Sequence, residues 1–181
     1  MRCFGYRCRM ARRGHDHPVL LEGEISVRPA TADDLDTLAK WFVEPDNYRW
    51  WGGVPKRREE VAEKYIGRRC PRVESFLIEL SDKPIGYIQY RVEGPGRAGL
   101  DMMLTPTWRD RGIGPRAARL LIRHLVLDRG WTDITVDPAA DNDRAIRAWE
   151  KAGFTIDREW PDHPDGPAIL MRLRPQEEVA D

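Results

Sequence analysis

No apolar run in the sequence approaches the ~18 residues that a membrane-crossing helix needs. The arginine-bearing N-terminus is also not followed by the apolar stretch of a secretory signal. Surplus charge is missing too: 30 basic and 30 acidic residues leave a formal net charge of 0. No bulk field therefore draws the chain to nucleic acid or to an anionic membrane. Cysteine is scarce, and the three present, Cys3, Cys8 and Cys70, make an odd number with two in the N-terminal tail, which is no disulfide framework. Together with His15 and His17 they match no common zinc-ligand spacing, so no metal is expected. Internal repeats and DNA-reading motifs are absent. These absences point to a cytoplasmic protein with neither nucleic acid nor membrane as partner.

What is present, over 181 residues, suffices for one domain with a substantial core. Residues 1–23 read as a disordered basic tail, 24–175 as the domain and 176–181 as a frayed acidic end. Within the domain, Arg109-Asp110-Arg111-Gly112-Ile113-Gly114 precedes an amphipathic helical pattern reaching about Gly130. Two glycines let the backbone turn and approach a ligand closely, and the N–H groups at the helix start, with Arg109 and Arg111, make a cradle for an anion such as a diphosphate. A short strand pattern over Ala98–Leu104 precedes the cradle and another, Asp133–Val136, follows it, giving a strand, loop, helix, strand unit. A second helix, capped near Asn142 and stopped by Gly153, leads into a further strand.

Upstream, Ile25–Arg28 reads as a strand, and Thr31 with Asp34 caps a helix whose apolar side is Leu35, Leu38, Ala39 and Phe42. Another helical pattern runs from about Arg57 to Gly67. Glu74–Leu80 and Pro84–Val92 form a hairpin across Ser81-Asp82-Lys83. Ile156–Leu173 reads as two strands around a loop at residues 161–167, whose His163 is taken as solvated. Between the first two helices, Trp50 and Trp51 stand beside Gly52 and Gly53. They either plug the core or wall a site for an amine or sugar, and their repetition favours the wall. Asp101 lies among apolar neighbours on a central strand, where an ionised carboxylate needs a cation. That cation is either a substrate ammonium or Arg97, unless alternation turns Asp101 to solvent.

Arg-x-x-Gly-x-Gly, followed by Asn-x-x-Ala-x-x-x-aromatic-Glu-Lys-x-Gly-Phe, resembles the GNAT superfamily of acetyl-CoA-dependent N-acetyltransferases. The resemblance narrows to the aminoglycoside 6′-N-acetyltransferases through Trp50-Trp51-Gly52-Gly53, Pro84-Ile85-Gly86-Tyr87, Gly99-Leu100-Asp101, Asp137-Pro138, Arg144-Ala145-Ile146-Arg147 and Asp165-Gly166-Pro167, in order between Ile25 and Arg174. It implies an α/β GNAT fold: a mixed, mostly antiparallel sheet of six to seven strands with four helices, splayed at the acetyl-CoA site. It also implies that the CoA pyrophosphate lies on Arg111, Gly112, Ile113 and Gly114. The pantetheine arm would pair with the Met103 and Leu104 backbone, and Asn142 would help to hold it. Asp101 would be the general base at the amine, and the residues matching Trp51, Asp137 and Asp165 would touch the antibiotic. The implied reaction is direct transfer to the 6′-amine in a ternary complex, by a monomer or homodimer.

Three features depart from the pattern. Trp149 stands at the cofactor position where the superfamily usually has a tyrosine able to protonate the leaving thiolate, and an indole N–H is too weak an acid for that. Pro115 removes one N–H from the first turn of the cradle helix. The connection from Val92 to Gly99 is short where relatives carry a longer substrate-embracing insertion. The alternatives left open are acylation of another amine, such as the 2′-amine of kasugamycin or a lysine or siderophore amine, and a non-catalytic acyl-CoA-binding module. Cys70, with no paired histidine in view, is rejected as a nucleophile.

Overall fold

The structure, a computed structural model, describes residues 19–66, 69 and 71–173. Cys3, Cys8, His15, His17, Cys70 and the 176–181 end lie outside these. Eight strands form one sheet in the order β1-β2-β3-β4-β5-β6-β8-β7. They are β1 (Leu20–Glu22), β2 (Ile25–Pro29), β3 (Val73–Leu80), β4 (Lys83–Gly94), β5 (Arg97–Leu104), β6 (Asp133–Val136), β7 (Phe154–Trp160) and β8 (Ala168–Leu173). Only the β5–β6 pair is parallel, so the mixed, mostly antiparallel expectation holds. The helices are α1 (Leu35–Phe42), α2 (Pro45–Tyr48), α3 (Arg58–Lys64), α4 (Ile113–Leu127) and α5 (Asp143–Ala152).

Two elements exceed the expected count. Strand β1 lies inside the stretch read as tail; three residues are too short for a periodic signal. It is held by tertiary contacts: Leu20 pairs with Val27 of β2, and Glu22 accepts a 2.7 Å hydrogen bond from Arg116 on α4. Helix α2 is a single turn within the aromatic loop, started by Pro45 at its first position. The β3–β4 hairpin turns on Ser81 and Asp82, both in the left-handed region (φ 48° and 61°), the turn handedness that matches strand twist.

Alternation along the strands divides the core between the two faces of the sheet. On one face, α4 covers Ile88, Tyr90, Leu100 and Val136, and Met102 and Leu104 point to this side. On the other, Leu38, Phe42, Val61, Tyr65, Leu77, Tyr87 and Met103 form a second cluster beneath α1 and α3. Burying each such large apolar side chain contributes about 1.5–3 kcal/mol. Strand β5 pairs with β4 out to Leu104 but with β6 only through Arg97–Gly99. Past Gly99 the sheet opens, and β5 presents an unpaired edge in the middle of the molecule.

Candidate active site

The open edge and the start of α4 meet at one end of the split. Thr105 donates its N–H to the Ile85 carbonyl on the β4 side (3.0 Å). Main-chain groups alternate along a strand, so those of Met102 and Leu104 face the gap while those of Met103 face β4. This corrects the expected Met103–Leu104 pair: Met103 has its side chain in the second core, and the edge belongs to Met102 and Leu104.

In the loop before α4, Asp110 and Gly112 adopt left-handed conformations (φ 60° and 73°) on either side of Arg111. Such alternation gathers successive N–H groups into a concave anion nest, continued by the unpaired N–H groups of the helix start. Nothing lies within 4 Å of where a Gly112 Cβ would be, so this glycine serves the backbone turn. Gly114 serves close packing instead, for its Cβ would stand 3.2 Å from the Met102 side chain. Ile113 is buried in the main core and contributes its main chain alone.

The two arginines divide their work. Arg109 is not a free phosphate ligand: it donates to the Leu104 carbonyl at 2.8 Å, the Asp46 carbonyl at 3.0 Å and Asn47 Oδ1 at 2.6 Å. It braces the end of β5 against α2. Arg111 is exposed, with its guanidinium 5.0 Å from the Trp108 ring centre; Lys83 approaches the same ring at 5.7 Å. Trp108, which directly precedes the glycine motif, and Lys83 at the β3–β4 turn were not singled out from the sequence as neighbours of Arg111.

A cavity of about 480 Å³ beside this loop is lined by Trp50, Arg109, Asn142 and Arg144 among others. Trp50, stacked 4.7 Å beneath Arg49, thus faces this cavity beside Arg109, whereas its neighbour Trp51 packs on Tyr87. Asn142 caps α5, its Oδ1 accepting the Ala145 N–H at 3.1 Å, and lines the same cavity. Trp149 departs from the expected cofactor contact. It is 5% exposed and meets Phe154 edge-on at 5.3 Å, because it lies on the apolar face of α5 that the sheet covers.

Asp101 sits on the opposite face, where β4 supplies its surroundings. The hairpin sets Gln89 directly across from Asp101, and Gln89 Nε2 donates to Oδ2 at 2.8 Å. Gln89 Oε1 accepts from the Tyr87 hydroxyl at 2.9 Å. That hydroxyl has one proton, so Ser75 Oγ, 2.6 Å away, donates to it. Ser75, Tyr87 and Gln89 thus form a buried relay of hydrogen bonds ending on Asp101.

The cation beside Asp101 is Arg91, at 3.4 Å. It is not Arg97, which lies four residues along the strand, about 13 Å away at strand rise, and pairs with Asp133 at 2.9 Å. Arg91 also lies 3.1 Å from Glu93 and 3.9 Å from Asp137. Burial pushes the Asp101 carboxyl above its ordinary range. Arg91 and the Gln89 hydrogen bond oppose that rise, while Asp137 and Glu93 add to it.

Trp51 reaches this face with a double role. Its Nε1 donates to the Tyr65 hydroxyl at 3.2 Å, and its ring packs 5.6 Å from Phe42 and 5.7 Å from Tyr87, yet it stays partly exposed. His163, expected to be solvated, is 14% exposed at its side chain, with Nε2 3.4 Å from Asp137. Its Nδ1 accepts the Asp165 N–H at 3.2 Å, which assigns the proton to Nε2 when the ring is neutral. The loop folds back over the end of β6, a conformation its sequence does not reveal. Asp165 is itself exposed and meets this cluster through its main chain. Gln89, Arg91 and Glu93 were missed as well, although the turn after Glu93 fixes the cross-strand register and could have revealed Gln89.

A carboxylate with raised proton affinity, beside further acids and an aromatic wall, can accept a proton from a cationic amine. The comparisons agree with that chemistry. The family model described as an acetyltransferase (GNAT) domain matches residues 30–161. An aminoglycoside N(6′)-acetyltransferase type 1 of Klebsiella pneumoniae is 33% identical over 165 residues, covering 81% of each chain. The solved structure of AAC(6′)-Ib with paromomycin and acetyl-CoA superposes with a TM-score of 0.76 at 32% identity, over 83% of this chain and 93% of that one. The same enzyme with CoA and kanamycin gives 0.74 at 31% identity, over 82% and 93%. The chain belongs to the GNAT family of acetyltransferases, alongside the aminoglycoside N(6′)-acetyltransferases.

Proposed function

We propose that this protein transfers the acetyl group of acetyl-CoA to the 6′-amine of an aminoglycoside antibiotic, by direct attack within a ternary complex. The observation that carries this reading is the position of Asp101. It lies on the strand whose open edge suits the pantetheine arm, and faces a cluster of acids where a polycation is welcome. Acetyl-CoA fits the other end: the nest at Asp110–Gly112 suits its diphosphate, with N–H donors from Arg111, Gly112, Ile113 and Gly114. Bound acetyl-CoA supplies an activated thioester. Met102 offers its main-chain groups and Leu104 its N–H to the amides of acetyl-CoA, the Leu104 carbonyl being held by Arg109, and an N–H on this edge stabilises negative charge developing on the carbonyl oxygen.

Asp101, held by Gln89, takes the proton from the attacking amine directly or through water, and alignment of amine and thioester supplies much of the remaining rate. Trp51, Asp137 and Asp165 contact the sugar amines in this reading, and Trp50 and Asn142 line the cofactor end. With Trp149 in the core, the leaving thiolate takes its proton from solvent. No described helix is long and apolar enough to cross a membrane; the enzyme acts in the cytoplasm, where acetyl-CoA is made, as a monomer or homodimer.

The test is thiol release from acetyl-CoA with kanamycin, gentamicin, kasugamycin, lysine and a basic peptide, with mass spectrometry locating the acetyl group. Acetylation of kanamycin at its 6′-nitrogen is expected. Turnover confined to kasugamycin, lysine or peptide overturns the antibiotic position or class, and CoA binding without turnover on any amine overturns the enzymatic reading.

A further inference from the structure

We infer that Arg91 is a resident cation that occupies the amine-binding position and is displaced by the incoming substrate, which makes it a determinant of substrate affinity. The inference rests on the reading of the acid cluster as the acceptor site. Its ground is the placement of the guanidinium, which is the partner of three carboxylates at once: Asp101 at 3.4 Å, Glu93 at 3.1 Å and Asp137 at 3.9 Å. One positive charge among three negative ones leaves the cluster short of cations. The fourth titratable neighbour, His163, reaches it only through Asp137.

The fold makes room for this arrangement. Gly99 is the cross-strand partner of Arg91, and a Cβ there would come within 2.9 Å of the Arg91 guanidinium and 2.6 Å of the Glu93 carboxylate. Glycine at that register position gives the arginine its berth. The contact to Asp101 is nevertheless loose. At 3.4 Å it is far longer than the 2.8 Å bond from Gln89 to the same oxygen, and the Arg91 side chain is 42% exposed. Gln89 is therefore the fixed partner of Asp101 and Arg91 the exchangeable one. An ammonium entering beside Asp101 takes over the charge pairing, and the guanidinium keeps Glu93 and Asp137 as partners after it yields. Its departure also removes a cation that opposes protonation of Asp101, so the carboxylate becomes a better proton acceptor when an amine is there to give one up.

Arg91→Gln and Arg91→Lys, each checked by thermal melting to be folded at the assay temperature, separate this role from a structural one. Removing the competing cation is expected to lower the KM for kanamycin about fivefold in Arg91→Gln, with the gain shrinking as salt is added. Arg91→Lys keeps the charge but not the forked contacts, so its KM is expected to lie closer to that of the parent protein than that of Arg91→Gln does. An unchanged or raised KM in Arg91→Gln, beside normal turnover by the parent, overturns the inference and leaves the proposed function standing. Should the parent turn over no amine, the proposed function falls and Arg91 is judged by NMR. Its side-chain Nε–H signal is expected to shift when the simple dication 1,4-diaminobutane is titrated into the free protein, and a static signal overturns the inference.

Discussion

The two ends of the split in the sheet are built from different materials. At the proposed cofactor end the groups that would hold acetyl-CoA are main-chain N–H and C=O groups: the nest at Asp110–Gly112, the start of α4 and the Met102–Leu104 edge. The side chains there mostly hold structure, as Arg109 does in bracing Leu104 and as Asn142 does in capping α5. At the proposed acceptor end the groups are side chains, and each is positioned by another. Ser75, Tyr87 and Gln89 lead to Asp101, and Arg91 answers three acids. A main-chain site depends on backbone shape and tolerates varied side chains; a side-chain network changes character with each substitution. A family can thus keep one cosubstrate and vary its acceptor.

If the acceptor end depends on single side chains, Asp101→Asn has the largest effect. Loss of the proton acceptor is expected to lower kcat/KM by about 10²–10⁴-fold with CoA affinity unchanged. Stability should not fall with it. Because burial raises the Asp101 pKa in the fold, its ionised form is disfavoured there, and that cost is fully present above the folded pKa and vanishes only below the ordinary, unfolded one. A neutral amide at pH 7 escapes the cost, so the melting temperature is expected to stay level or rise. Retained turnover, or a CoA affinity that collapses together with it, would break the division between the two ends.

A finer probe of the same end is Gln89→Leu, which removes the fixed partner of Asp101 and leaves the Tyr87 hydroxyl without its acceptor. The expected loss is about tenfold in kcat/KM at neutral pH. The pH profile distinguishes positioning from simple damage. The Gln89 hydrogen bond pulls the Asp101 pKa down, so its removal raises that pKa, and the acid limb of kcat/KM, where activity falls as Asp101 becomes protonated, moves to higher pH. A lowered rate with an unmoved acid limb would make Gln89 a packing residue only.

The same contrast explains what was legible in the sequence. Main-chain sites leave a local signature, since the nest needs Gly112 at a left-handed position, and the hexapeptide Arg109–Gly114 announced it. The strand, helix and hairpin assignments likewise followed from periodicity and turn residues, apart from β1 and α2, which are too short to show a period. Side-chain sites are written in register and in loop shape. Asp101 stood out because a charge on an apolar strand is costly, but Arg97 was the only protein cation weighed beside a substrate ammonium, and Arg91 was overlooked. Arg97 is a neighbour along β5, whereas the protein's own partner comes from across the β4–β5 hairpin. Trp50 and Trp51 are adjacent in sequence yet point to different places, Trp50 to the cavity beside Arg109 and Trp51 onto Tyr87. His163 depended on how the 161–167 loop folds, which no pattern in its residues discloses.

The smallest expected effect tests the cofactor end. Pro115 is the third residue of α4 and the one position in its first turn that has no N–H to offer an anion. If the diphosphate is held by many main-chain donors acting together, restoring one of them changes little. Pro115→Ala is expected to tighten CoA about twofold to threefold by calorimetry, the low end of the scale of one further hydrogen bond. Pro115 is buried, and alanine is smaller, so the helix start has no clash to relieve and a modest loss of stability should accompany the gain in affinity. A gain beyond tenfold would mean that the missing donor had been a weak point of the nest, and that the cofactor end, like the acceptor end, rests on single residues.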